Sequence, residues 1–183
     1  MNNKLFSFII NIAKQEKISI TNLKLQKIMF FIYGVVLAKH NINLVPQGFE
    51  AWKYGPVNRE AYDILSNYKG DFISLNEVKI DNTANIDETI SKTIKIVWDF
   101  YKDINAFDLV RESHKKGTPW IKVYIPGESI HIEAKDVEKY YKDNLTMLEN
   151  MYTSQDNMLY KFQIRANSII DEFEDTLEYL KNT

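Results

Sequence analysis

The stretch from Leu23 to Ala38 constrains the fold of this chain more than any other. Thr21 is a good helix N-cap, and Leu23, Leu25, Ile28, Met29, Ile32, Val36 and Leu37 follow it at helical spacing. Past Lys27 the helix is apolar over most of its circumference. A helix apolar on one stripe lies on a core, whereas one apolar all round must be enclosed by other elements. The uncharged run of residues 28–38, bounded by Lys27 and Lys39, is too short to cross a bilayer, which takes roughly 20 residues. It is therefore expected to run through the centre of the core. Gly34 inside it costs about 1 kcal/mol relative to Ala, and close helix packing accounts for it.

The rest of the chain supplies elements to wrap around that helix. Asn2 or Asn3 caps a first helix reaching about Glu16, with Leu5, Phe8, Ile9 and Ile12 on one face. Asp87 caps another, with Ile90, Ile94, Val97, Trp98 and Tyr101 inward. Shorter helices are expected at residues 106–112 and 134–143, and a single turn at 120–123. Ile130-His131-Ile132 alternates like a short strand, and Val78-Lys79-Ile80 is a second candidate. The fold class is mainly α: a compact helical domain with small strand or hairpin elements, followed by a C-terminal amphipathic helix or helical hairpin.

Between Phe49 and Val57 the chain reads Phe-Glu-Ala-Trp-Lys-Tyr-Gly-Pro-Val. Pro56 restricts Gly55 away from the α region and brings a fixed φ with no amide donor. Proline suits the first turn of a helix, and residues 57–65 have helical apolar spacing. This segment is expected to be a stiff aromatic corner that buries Trp52 and starts a helix.

Composition narrows the function. With 183 residues, 45% hydrophobic and 13% aromatic, the chain can build a sizeable core, which disfavours disorder. Cysteine is absent, so disulfides, thiolate metal sites and cysteine nucleophiles are excluded. A cytoplasmic location is expected, which the absence of cysteine fits, and no secretory signal is visible at the N-terminus. Residues 1–143 carry 20 basic against 18 acidic side chains, and residues 144–183 carry 3 against 7. That balance disfavours nucleic acid, which requires a basic face, whereas the acidic C-terminal end suits a basic protein partner.

The chain has no Gly-rich phosphate loop, nucleophile elbow or His-Glu-x-x-His. His131 and Glu133 share one strand face and could begin a metal site, but a solvated strand face is the simpler reading. His114, beside two lysines and near Trp120, is read as a structural histidine bonded to a backbone carbonyl. Trp52, Trp98 and Trp120 are read as core residues, because a base-stacking platform would be ringed by basic groups and the chain has only three arginines. Glu50 and Lys53 straddle Trp52 and suggest a structural ion pair or hydrogen bond. No catalytic, metal or cofactor residue is assigned, and the protein is not expected to be an enzyme.

From Leu145 onward, Leu145, Leu148, Tyr152, Gln155, Leu159, Phe162, Ala166, Ile169, Phe173, Thr176 and Leu180 recur at alternating steps of three and four. That is a heptad seam with an acidic flank. It packs on its own domain or forms a docking surface, and a second copy of the chain is also a possible partner. If it docks a partner, Tyr152, Leu159, Phe162, Ile169 and Phe173 are the expected anchors.

Three separated motifs point to one family. Leu23-Lys24-Leu25-Gln26-Lys27 resembles the Leu-Lys-Leu-Gln-Lys helix of the Panacea domain, found in SocA-like and GepA-like phage and prokaryotic proteins. Ala51-Trp52-Lys53-Tyr54-Gly55-Pro56-Val57 is similar to its Ala-Trp-x-x-Gly-Pro-Val signature. Ser113-His114 followed by Pro119-Trp120 is similar to its Thr-His…Pro-Trp element, with Ser for Thr. The resemblance implies a domain over residues 1–143, with residues 144–183 as an extension that could set the partner. It further implies an antitoxin that neutralises a cognate toxin by direct contact, with SocA-like members also delivering a toxin to a Clp protease. The other reading is a phage or mobile-element protein that binds a host defence or protease component. The resemblance carries no catalytic residues.

Overall fold

The computed structural model describes residues 3–80, 85–146, 149, 164 and 166. The chain divides into one unit of Met1–Leu145 and a second of Thr146–Thr183. Apart from Leu145 and Ala166, the heptad seam, with its anchors Tyr152, Leu159, Phe162, Ile169 and Phe173, lies outside the described residues.

The first unit is mainly α. Its described residues form seven α-helices and a three-stranded antiparallel sheet. The helices are α1 (Lys4–Gln15), α2 (Asn22–His40), α3 (Arg59–Leu65), α4 (Glu88–Tyr101), α5 (Ala106–His114), α6 (Pro119–Val123) and α7 (Ala134–Asp143). The strands β1 (Phe49–Trp52), β2 (Gly55–Val57) and β3 (Ile130–Ile132) lie in the order β2-β1-β3.

Helix α2 is the axis of the unit. Every residue from Leu25 to Ala38 is buried, as an all-round apolar helix requires. It packs against α1, α3, α4, α5, α7 and β2. Thr21 caps it through Lys24 N–H, and Asn41 ends it in the left-handed conformation at φ 53°. Gly34 permits the closest approach, since a Cβ there would stand 2.1 Å from Tyr141 Cε2 on α7.

The caps explain most helix starts. Asn3, Asn58, Asp87, Asn105 and Thr118 each accept a backbone N–H from the first turn of α1, α3, α4, α5 and α6.

Two expected elements differ. Pro56 is not the first turn of a helix. The β1–β2 hairpin pairs Ala51 with Pro56 and Trp52 with Gly55, so the proline occupies an edge strand, where a missing amide donor is tolerated. Asn58 then caps α3, which begins at Arg59. Residues 78–80 are not a strand. Pairing in this region occurs earlier, where Phe72 bridges Thr21 and Ile73 N–H donates to Ile20 C=O at 2.9 Å.

Candidate functional site

The three motifs lie on α2, on the β1–β2 hairpin, and on α5 with α6, and the fold brings them together. Helix α2 places Gln26 and Lys27 toward the hairpin. Gln26 Oε1 accepts Asn58 N–H at 2.8 Å, and its Nε2 donates to Asn58 C=O at 3.3 Å. One side-chain amide thus closes both backbone groups of the residue that follows β2.

Asn58 is the hub of this corner. Its Nδ2 donates to Gly48 C=O at 2.8 Å, and its Oδ1 accepts both Ala61 N–H and Asn3 Nδ2. The residue is wholly buried, so each bond offsets a desolvated polar group. Sequence reasoning passed over Asn58, although an Asn just after Pro-Val and before an apolar helical pattern is an N-cap signal.

Lys27 has no exposed surface, and its Nζ donates to Pro56 C=O at 2.7 Å. Burial holds its ammonium well below the ordinary lysine range. The sequence signal was weak: Lys27 looks like the charged flank of an apolar run, yet it shares a helical stripe with Leu23 and Phe31.

Gly55 faces the same place at φ +94°. A Cβ there would stand 2.5 Å from Ser113 Oγ and 2.9 Å from Lys27 Nζ. Ser113 Oγ donates to Val110 C=O, and Thr118 Oγ1 donates to Ser113 C=O, which ties α5 to the cap of α6.

The His114 ring stacks on Trp120 at 3.7 Å and 7°, and Trp120 stacks on Tyr124 at 4.3 Å. Trp120 Nε1 donates to Trp52 C=O at 2.9 Å, joining α6 to the hairpin. The expected carbonyl bond of His114 is replaced by this stack. Its Nε2 is buried and has no hydrogen-bond partner among the described residues. Burial first, and then the nearby Lys27 charge, lower its pKa to about 4.

Trp98 and Trp120 are buried as expected, but Trp52 is only half-buried. The Arg59 guanidinium lies 4.9 Å over the Trp52 ring, and Tyr62 meets that ring at 62°. The Glu50 carboxylate accepts Trp52 Nε1 at 2.7 Å and two bonds from Arg59. Burial raises the Glu50 pKa, and these hydrogen bonds outweigh it to leave the carboxyl below its ordinary range. The partner of Glu50 is therefore Arg59 rather than Lys53, because Lys53 falls in the turn beyond the strand.

The other motif residues fill in around this core. Leu25, Pro56, Val57 and Pro119 are buried, Leu23 is half-buried, and Lys24 donates to the Lys102 carbonyl. His131 and Glu133 are both exposed. No group of three or more His, Asp or Glu among the described residues is placed to hold a metal ion. No helix among them is long and apolar enough to cross a membrane.

The fold and this corner define a class: a helical module whose motif side chains close on one another in the interior. The chain belongs to the family described as Antitoxin SocA-like, Panacea domain, whose match spans residues 25–121, from Leu25 within the first motif through the other two. It is similar to Antitoxin SocA of Caulobacter vibrioides (strain NA1000 / CB15N), at 29% identity over 170 residues, or 88% of this chain and 82% of that protein. No solved structure matches.

Proposed function

We propose that the protein is an antitoxin that neutralises a cognate toxin by direct protein contact. Family membership over just over half the chain is the observation that carries this reading. The geometry supports a binding role for the domain. Lys27 ends on a backbone carbonyl, His114 on an indole face and Trp120 on the hairpin, so the motif's polar groups serve the scaffold. Partner choice then falls to less constrained surfaces. Those are the exposed face of the domain and the acidic heptad segment, with Tyr152, Leu159, Phe162, Ile169 and Phe173 as anchors. The setting is the cytoplasm.

Co-expression with the product of the adjacent gene tests the proposal. Growth is restored and the two chains co-purify. If toxin abundance falls only in cells that contain Clp protease, the mechanism is delivery; if abundance is unchanged, it is blocking. Persistent growth inhibition without co-purification overturns the reading for that pair. Recovery of a host housekeeping protein instead favours a host-directed binder.

A further inference from the structure

An open groove of about 310 Å³ lies on the outer side of the hairpin corner, lined by Leu23, Trp52, Tyr54 and Tyr62 together with Lys53 and Lys69. Its walls are mainly apolar and aromatic. Tyr54 is 52% exposed, so a ring made for packing stands in water. Phe72 extends this apolar character. It is 67% exposed, follows Gly70 of the groove by two residues, and is bridged to Thr21, next to the groove residue Asn22.

The charged side chains that line the groove, Lys53 and Lys69, are both basic. Lys53 and Lys69 are both exposed, and neither forms an ion pair among the described residues. No carboxylate lines the groove. Lys69 also holds φ 49°, ψ −114°, a conformation that normally calls for glycine, so the backbone presenting it is strained.

We infer that this groove is a docking slot for a partner-protein segment bearing one bulky apolar side chain flanked by carboxylates. The volume fits: a cavity of about 150 Å³ accepts benzene, so the groove takes an aromatic or leucine side chain with adjoining backbone. The lysines attract the flanking carboxylates and fix the register of the segment. A nucleobase fits less well. Trp52 already carries Arg59 over its ring and meets Tyr62 at 62°, so these walls are not parallel planes with a slot between them. The inference rests on reading the protein as a partner-binding module.

Selection of a random peptide library against the full-length chain tests it. Enriched peptides share a Phe or Leu flanked by Asp or Glu. Their Kd by fluorescence anisotropy rises about tenfold in Lys53→Glu/Lys69→Glu and in Tyr54→Ala, and rises with added salt. The melting temperature is unchanged, because these side chains are exposed; if charge reversal does unfold the chain, Lys53→Gln/Lys69→Gln serves in its place. Failure to enrich peptides, enrichment without acidic flanks, equal binding by the variants, or displacement by single-stranded oligonucleotide overturns the slot. If these peptides bind as described but the co-expressed toxin does not co-purify, the antitoxin reading fails and the slot stands. If the toxin co-purifies and the lysine variants retain both toxin and peptides, the slot fails and the antitoxin reading stands.

Discussion

Lys27 Nζ donates to the Pro56 carbonyl oxygen at 2.7 Å from a side chain with no solvent exposure. This bond fastens the central helix to the hairpin and explains why a lysine stands where the sequence otherwise turns apolar. The unfolded chain protonates this amine below its ordinary pKa of 10.5, while the folded chain resists protonation until a lower pH. Burial of Lys27 therefore costs stability that grows as pH falls beneath 10.5 and vanishes above it. Lys27→Met removes that dependence. In melting experiments the wild type gains on the variant as pH rises toward 10.5. Above that pH it is the more stable by about 1 kcal/mol, the value of the hydrogen bond to Pro56.

Gly55 is the second constraint at the same point. Gly55→Ala meets both a positive φ and a Cβ within 3 Å of Ser113 Oγ and Lys27 Nζ. The combined backbone and overpacking penalties are about 3 kcal/mol. Denaturant unfolding should show a lower midpoint with an unchanged slope.

His114 reports on the stack. Its folded pKa of about 4 lies below the ordinary 6.5, so the unfolded chain binds a proton in this interval that the folded chain refuses. Stability consequently falls as pH drops from 6.5 toward 4 and levels off below. His114→Gln loses about 1 kcal/mol of ring stacking and flattens that interval of the melting-temperature profile.

A second acid step belongs to Glu16. Its carboxylate accepts Trp98 Nε1 at 3.0 Å and Lys102 Nζ at 2.9 Å, with Lys95 Nζ at 3.1 Å. Burial pushes the carboxyl up, but these bonds outweigh it and bring the pKa down from 4.5 to about 2. The stability it contributes is present above 4.5 and lost as pH falls through that range to 2. Glu16→Gln costs about 2 kcal/mol at neutral pH and removes this step while leaving the His114 step in place.

Much of this was legible in the sequence because local signals and global packing agree. The circumference of α2 announced its central place, Gly34 its close neighbour, and Asp87 and Thr21 the starts of their helices. Pro56 misled because the same fixed φ suits a helix start and an edge strand, and only the pairing of β2 with β1 decides between them. The partner of Glu50 required knowing that α3 folds back so that Arg59 covers Trp52. The burial of Lys27 was hidden because a charged side chain beside an apolar run reads as its solvated flank. Its enclosure depends on a hairpin that is distant in sequence.

The central claim is that the buried polar groups of the motifs hold the fold while exposed side chains hold the partner. Titration of the purified chain and its His114→Gln variant against the co-encoded toxin tests this most directly, below both melting temperatures. The account predicts a stoichiometric complex, with the variant binding and neutralising the toxin as the wild type does. A fully folded His114→Gln chain that has lost neutralisation, or a wild type that forms no complex, would contradict it.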